Sequence, residues 1–300
     1  SSKWEKDYTQ EWRTDTVAMI IRHGGYSADE SHTYVSVKHF FDPLARSSGR
    51  HELTDHYALH GWTSYEAVPA TDWAVKRQDN PYSLINAMKN YKKALEIPYD
   101  ASLEPISANG NYRDMSADPS SLEEMRSMYA GKAMRGLGEV MHLVADMVQP
   151  AHVRNDAHPF YEMTEQAITM SVSERLVKSG RLDGLSVPDM GLTVDDLMFG
   201  LSAWTNRNFY SEDTLHDEVL GVTPKNWETP YPNPKMSDMT KKIHEGHITY
   251  FKNFGGKEIP MVRRIIGIFK DTYTIPREFA VKQGEVLIPL AVSACARTMD

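Results

Sequence analysis

An all-α fold, a single multi-helix domain over residues 1–300, is what three observations predict. Apolar residues recur at the three-and-four spacing of a helix face over most of the chain. Strand signals are sparse. No internal repeat, low-complexity tract or flexible linker divides the sequence, and 300 residues suffice to bury a sizeable core.

Taken in order, residues 4–21 read as a first helix that ends at the Gly24-Gly25 pair. Residues 63–75 and 81–95 read as two more, the second with Leu84, Ala87, Met88, Tyr91 and Leu95 along one face. The strongest helical pattern covers 121–148, where Met134, Leu137, Met141, Val144 and Val148 follow one stripe. Pro150 stops or kinks it, because the ring has no N–H to give and crowds the preceding turn. His158-Pro159 suits the opening of the next helix. Helical stretches follow at 194–204, 261–273 and 277–297, and the proline-rich run 222–236 reads as a long irregular loop.

Hydrophobic residues make up 41% and charged residues 25%, the balance of an ordinary water-soluble domain. The most apolar run, 286–296, is short and interrupted by Pro289, so no transmembrane segment is expected. Net charge is −8 with lysines and arginines scattered, and no basic stripe advertises a stable nucleic-acid complex. The one cysteine, Cys295, excludes a cysteine-built zinc cage and reads as a small core residue. A metal site here must be made from His, Asp and Glu.

Those residue types gather in one region. His142 and Asp146 stand one helical turn apart on the same face, and His152 follows just beyond Pro150, where the chain can turn back. His158 and Glu162 repeat the four-residue spacing. Taken alone, each pair is what a surface ion pair looks like. Their succession within 21 residues is dimensionally suited to one or two zinc ions held through imidazole nitrogen and carboxylate oxygen. Of the other histidines, His51, His56 and His60 read as a polar loop, and His244 and His247 as a solvent-facing helical stretch.

The run from His142 through Asp146, Gln149-Pro150 and His152 to Asn155 resembles the zinc signature of the bacterial phospholipases C, shared more loosely with the P1/S1 nucleases. His158-Pro-Phe-Tyr-Glu162 is similar to the His-x-x-x-Glu pair of the phospholipase branch, and His39-Phe-Phe-Asp-Pro43 to an upstream His-Phe-Tyr-Asp-Pro element. Gly25-Tyr-Ser-Ala-Asp29 resembles the segment that supplies an aspartate ligand.

This resemblance implies that Asp29, His39, His142 and Asp146 hold one Zn2+, that His152, His158 and Glu162 hold a second, and that Asp29 also orients or deprotonates the attacking water. The family's third zinc uses an N-terminal Trp and a nearby His. Trp4 is not terminal and no His lies between it and His23, so a third ion is left open, with His23 one candidate. The implied activity is phosphoester hydrolysis on a phospholipid headgroup, with transient contact to a membrane surface and a secreted or periplasmic location. A single-strand-specific nuclease and a zinc-binding domain without catalysis are the alternatives. Glu162 and the lack of a Gly-Gly-Asn element favour the phospholipase branch.

Overall fold

A computed structural model of the protein describes residues 17–28, 36–45, 68–97, 122–156, 190–212, 214–215, 231–244, 246–269 and 271–299. Among these residues are six α-helices: α1 (Val17–Ser27), α2 (Ala70–Val75), α3 (Leu84–Glu96), α4 (Leu122–Asp146), α5 (Val194–Asn208) and α6 (Arg277–Thr298). Between α5 and α6 lies an antiparallel sheet in the order β1 (Thr240–His244), β2 (His247–Phe254), β3 (Lys257–Ile265) and β4 (Thr272–Thr274).

The sheet overturns the all-α expectation. Residues 261–273, read as a helix, instead form the end of β3, a loop and β4. His244 and His247 are not helical either; they close the β1–β2 pairing. The sequence signal failed for a local reason. Tyr250 pairs with Val262 and Phe251 with Pro260, so the register slips across Met261. That bulge leaves Ile259, Pro260, Met261 and Val262 all buried in succession. A strand so buried loses its period of two and cannot be told from a helical run by periodicity. The bulge also accommodates Pro260, which has no N–H for a ladder. Gly255 and Gly256, at φ 58° and 89°, make the tight β2–β3 turn.

The chain divides into two compact units, each assembled from two stretches: 1–35 with 72–143, and 36–71 with 144–300. In the first, α1 packs on α4 through glycines. Gly24 and Gly25 do not break α1, which continues to Ser27. A Cβ on Gly24 would lie 2.1 Å from the Arg135 carbonyl oxygen, and one on Gly138 would lie 2.0 Å from that of Ile21. The two backbones touch where side chains would otherwise hold helices roughly 8–10 Å apart. On α4 Ala133, Val140, Leu143 and Val144 are buried; of the expected stripe Val144 and Val148 are buried, while Met134, Leu137 and Met141 are half-buried. On α3 the buried positions are Ala87 and Ala94, and Met88, Tyr91 and Leu95 are exposed.

The second unit has its core between α5, α6 and the sheet, built from Leu197, Met198, Leu201, Phe209, Met261, Val262, Leu287 and Leu290. A capping box, Thr193 with Asp196, starts α5. Buried Gln283 on α6 donates to the carbonyls of Pro260 and Met261 and so fastens the helix to the bulge. By length and apolarity α6 is long enough to cross a membrane, yet half of its most apolar window is buried within the protein. Of the proline-rich run, residues 231–235 carry no helix or strand and a 3-10 turn follows at Met236–Asp238; residues 222–230 lie outside the described residues.

Candidate metal centre

α4 ends at Asp146, and a succession of tight turns takes over. The Met147 amide bonds to the Val144 carbonyl and Gln149 to that of Asp146, while His152 and Val153 both donate to the Gln149 carbonyl. The chain thus reverses around Pro150 and returns His152 to the end of the helix. A His152 Nδ1 lies 3.3 Å from Asp146 Oδ1 as a result.

His39 arrives from the other side. It closes the 3-10 turn Ser36–His39, is 2% exposed, and its Nδ1 is 2.8 Å from Asp146 Oδ2. Backbone bonds fasten this strap: the Phe41 amide to the His152 carbonyl (2.9 Å) and the Ala70 amide to the Phe40 carbonyl (3.0 Å). Asp42, 1% exposed, accepts from the Leu44 amide and the Tyr231 hydroxyl, so the His39-Phe-Phe-Asp-Pro43 element is held at both ends. The two imidazoles stand edge to face, 6.3 Å apart, with Phe40 packed 4.7 Å from the His152 ring.

Asp146 therefore reaches an imidazole with each of its oxygens. His142, one turn earlier on α4, adds a third nitrogen. His39, His142 and Asp146 each offer one ligand atom, and these atoms all lie within 4.8 Å of one another. Ligands at about 2.0–2.2 Å from a tetrahedral ion sit roughly 3.4 Å apart, so this group could hold a metal ion with small side-chain adjustments. The C-terminal end of α4 contributes partial negative charge, which favours a cation there. Asp29, His158 and Glu162 lie outside the described residues.

The turn that presents His152 has its own support, which sequence reasoning passed over. Arg154 is 1% exposed and donates to Thr214 Oγ1 and to the carbonyls of Asn206, Phe209 and Asn233. Its guanidinium also lies 4.2 Å from the Tyr231 ring centre. The Asn206 side chain returns a bond to the Val153 carbonyl (2.6 Å), and Asn155 adopts φ 50°, a left-handed conformation that Asn tolerates. Within the His152-x-x-Asn155 ending, a charged residue flanked by Val153 and Asn155 was the available signal.

Glu139 is the second residue missed, although it stands one turn before His142. It accepts from Arg135 Nε (3.2 Å) and Ser27 Oγ (3.4 Å). Burial pushes its carboxyl up to about 7 despite the opposing pull of Arg135, Ser27 and His142. His23, on α1, is driven the other way to about 4 by burial and by the Arg135 charge. A guanidinium beside His23 disfavours a cation there, and His23 does not join the group around Asp146. Cys295 is pushed up to about 12 by burial and by the nearby Asp146 charge, so it is a protonated thiol at neutral pH. Set against known proteins, the chain matches no family model, no curated protein and no solved structure.

Proposed function

We propose that this chain is a zinc-dependent phosphoester hydrolase that cleaves the headgroup from a phospholipid. The observation that carries this reading is the convergence of His39 and His142, remote in sequence, on the carboxylate of Asp146, with their ligand atoms within 4.8 Å. The order of the ligating residues, with Gln149-Pro150 and His152 after Asp146, supports the phospholipase C resemblance. In this reading Asp29, His39, His142 and Asp146 hold one ion, His152, His158 and Glu162 hold a second, and Asp146 lies between the two sets. Ions so bound supply a polarised phosphoryl group and a water acidic enough to attack phosphorus near neutral pH.

The chain's own residues do the rest. The buried strap and the Arg154-locked turn hold His39 and His152 in place before substrate arrives, which limits the reorganisation needed during reaction. Asp29 would orient or deprotonate the attacking water. Phe40 packs on the His152 ring and restricts its rotation. Location outside the cytoplasm, secreted or periplasmic, belongs to the same proposal.

The test is a direct comparison of substrates with zinc-loaded protein. Release of phosphorylated headgroup from phosphatidylcholine should exceed degradation of single-stranded DNA by at least about a hundredfold, a difference of roughly 3 kcal/mol in transition-state binding. Efficient cleavage of single-stranded DNA beside inert phospholipid would overturn the substrate class. Full zinc occupancy with no turnover of either would overturn catalysis itself.

A further inference from the structure

The C-terminal end of α5, the 231–235 segment, the turn at Met236–Asp238 and strand β2 enclose a cavity of about 180 Å3, and none of its walls is a residue of the metal centre. Its charged lining comes from Arg207 of α5, Lys235 and Asp238 of the intervening segment, and Lys252 of β2. Two sets of contacts fix the walls. Arg154 Nη1 donates to the carbonyls of Asn206, Phe209 and Asn233 and so ties the end of α5 to the 231–235 segment. Phe254, on the same strand face as Lys252, stacks on Phe209 at 5.1 Å and ties β2 to the same helix end. The cavity is thus built before any ligand arrives.

What lines this space is mostly cationic. Arg207, Lys235 and Lys252 stand against one carboxylate, Asp238, a local balance of +2 in a chain whose net charge is −8. Among the described residues none of the three cations closes an ion pair. Arg207 and Lys252 are near enough to repel: burial lowers the Lys252 pKa, Asp238 opposes that, and the Arg207 charge adds to it. An anion between two like charges relieves both.

The neighbouring backbone acceptors are already used. The Pro234 carbonyl accepts from the Tyr210 hydroxyl (2.6 Å), that of Asn233 from Arg154 (2.8 Å) and that of Trp204 from the Asn208 side chain (2.6 Å). The Lys235 carbonyl accepts from the Asp238 amide (3.1 Å). The cavity therefore offers donors, a guanidinium fork and two ammonium groups, to whatever enters it. At the roughly 30 Å3 that a water takes in the liquid, its volume equals about six waters, enough for a phosphate group with a short substituent. It falls short of the roughly 300 Å3 at which sites for larger organic ligands begin. A tetrahedral dianion matches both the charge and the donors.

We propose that this cavity binds a phosphate group, free or carried by a small phosphomonoester, between Arg207, Lys235 and Lys252. The inference stands on the second unit alone and does not depend on the metal centre. Calorimetric titration of the full chain, prepared with zinc, with inorganic phosphate and with glycerol 3-phosphate should show binding at low salt. Arg207→Gln with Lys252→Gln should weaken it at least about tenfold with the melting temperature unchanged. Asp146→Asn should keep it, which separates this cavity from anions held at the metal centre. Asp238→Asn removes the one opposing charge and should tighten it at least about threefold, a gain that a merely structural role for Asp238 does not produce. Tighter binding of glycerol 3-phosphate than of phosphate assigns the cavity to phosphomonoesters, and equal binding assigns it to phosphate itself. No binding by the parent chain, equal binding by the Arg207/Lys252 double variant, or loss of binding in Asp146→Asn overturns the inference.

Discussion

At the scale of single residues, Asp146 organises the centre because its two oxygens face two different imidazoles, with His142 one turn below on α4. Within the first unit, on α1 and α4, the charges are set by burial more than by pairing. Glu139 and His23 flank Arg135 with pKa values moved in opposite directions, to about 7 and about 4. The linkage signs follow. Glu139 binds its proton more tightly when folded, so its contribution falls as pH rises from 4.5 to about 7, by on the order of 3 kcal/mol in the metal-free protein. His23 binds its proton less tightly when folded, so its contribution is lost as pH falls from 6.5 towards about 4. The two slopes oppose each other between about 4.5 and 6.5. Urea unfolding of metal-free protein across this range should therefore show Glu139→Gln losing stability on acidification more steeply than the parent chain, and His23→Gln gaining it. Parallel pH profiles for all three proteins would contradict this account.

At the scale of elements, glycine decides the first unit. Gly24 and Gly138 are where α1 and α4 touch backbone to backbone, and a methyl group at either would meet a carbonyl oxygen at about 2 Å. Gly138→Ala should destabilise the protein by at least about 2 kcal/mol in urea unfolding, because two helices must separate to admit one carbon. Gly25→Ala, whose nearest neighbour atom would be 3.6 Å away, should cost little or gain slightly, and equal effects at the two positions would refute the close approach. This is also where sequence reading went astray. A Gly-Gly pair signals a helix break when only local propensity is considered, but here the partner helix supplies the reason for both residues. The helices α4, α5 and α6 were legible because helical apolar spacing and the Pro150 stop are local signals. The sheet was not, because the bulge at Met261 and the cover of α6 erased the alternation that marks a strand.

At the scale of the whole molecule, the group that could hold a metal ion was legible in outline because the spacing of His142 and Asp146 is a local property of α4. His142, Asp146 and His152 sit where the four-residue spacing and the Pro150 reversal put them, and His39 joins them through a contact that only the fold supplies. The supports of that arrangement were not legible. Arg154 binds carbonyls contributed by α5 and by the 231–235 segment, and a lone arginine in a motif does not reveal such partners. The central claim, that Asp146 joins two sets of metal ligands, is tested most directly by elemental analysis of zinc per chain. Protein prepared with zinc and without chelator should hold roughly two ions, and Asp146→Asn should lose occupancy at both sites, because an amide offers one neutral acceptor where the carboxylate offers two charged ones. Asp79→Asn, at an exposed pair with Arg77, should keep the parent value. Unchanged zinc in Asp146→Asn would contradict the account.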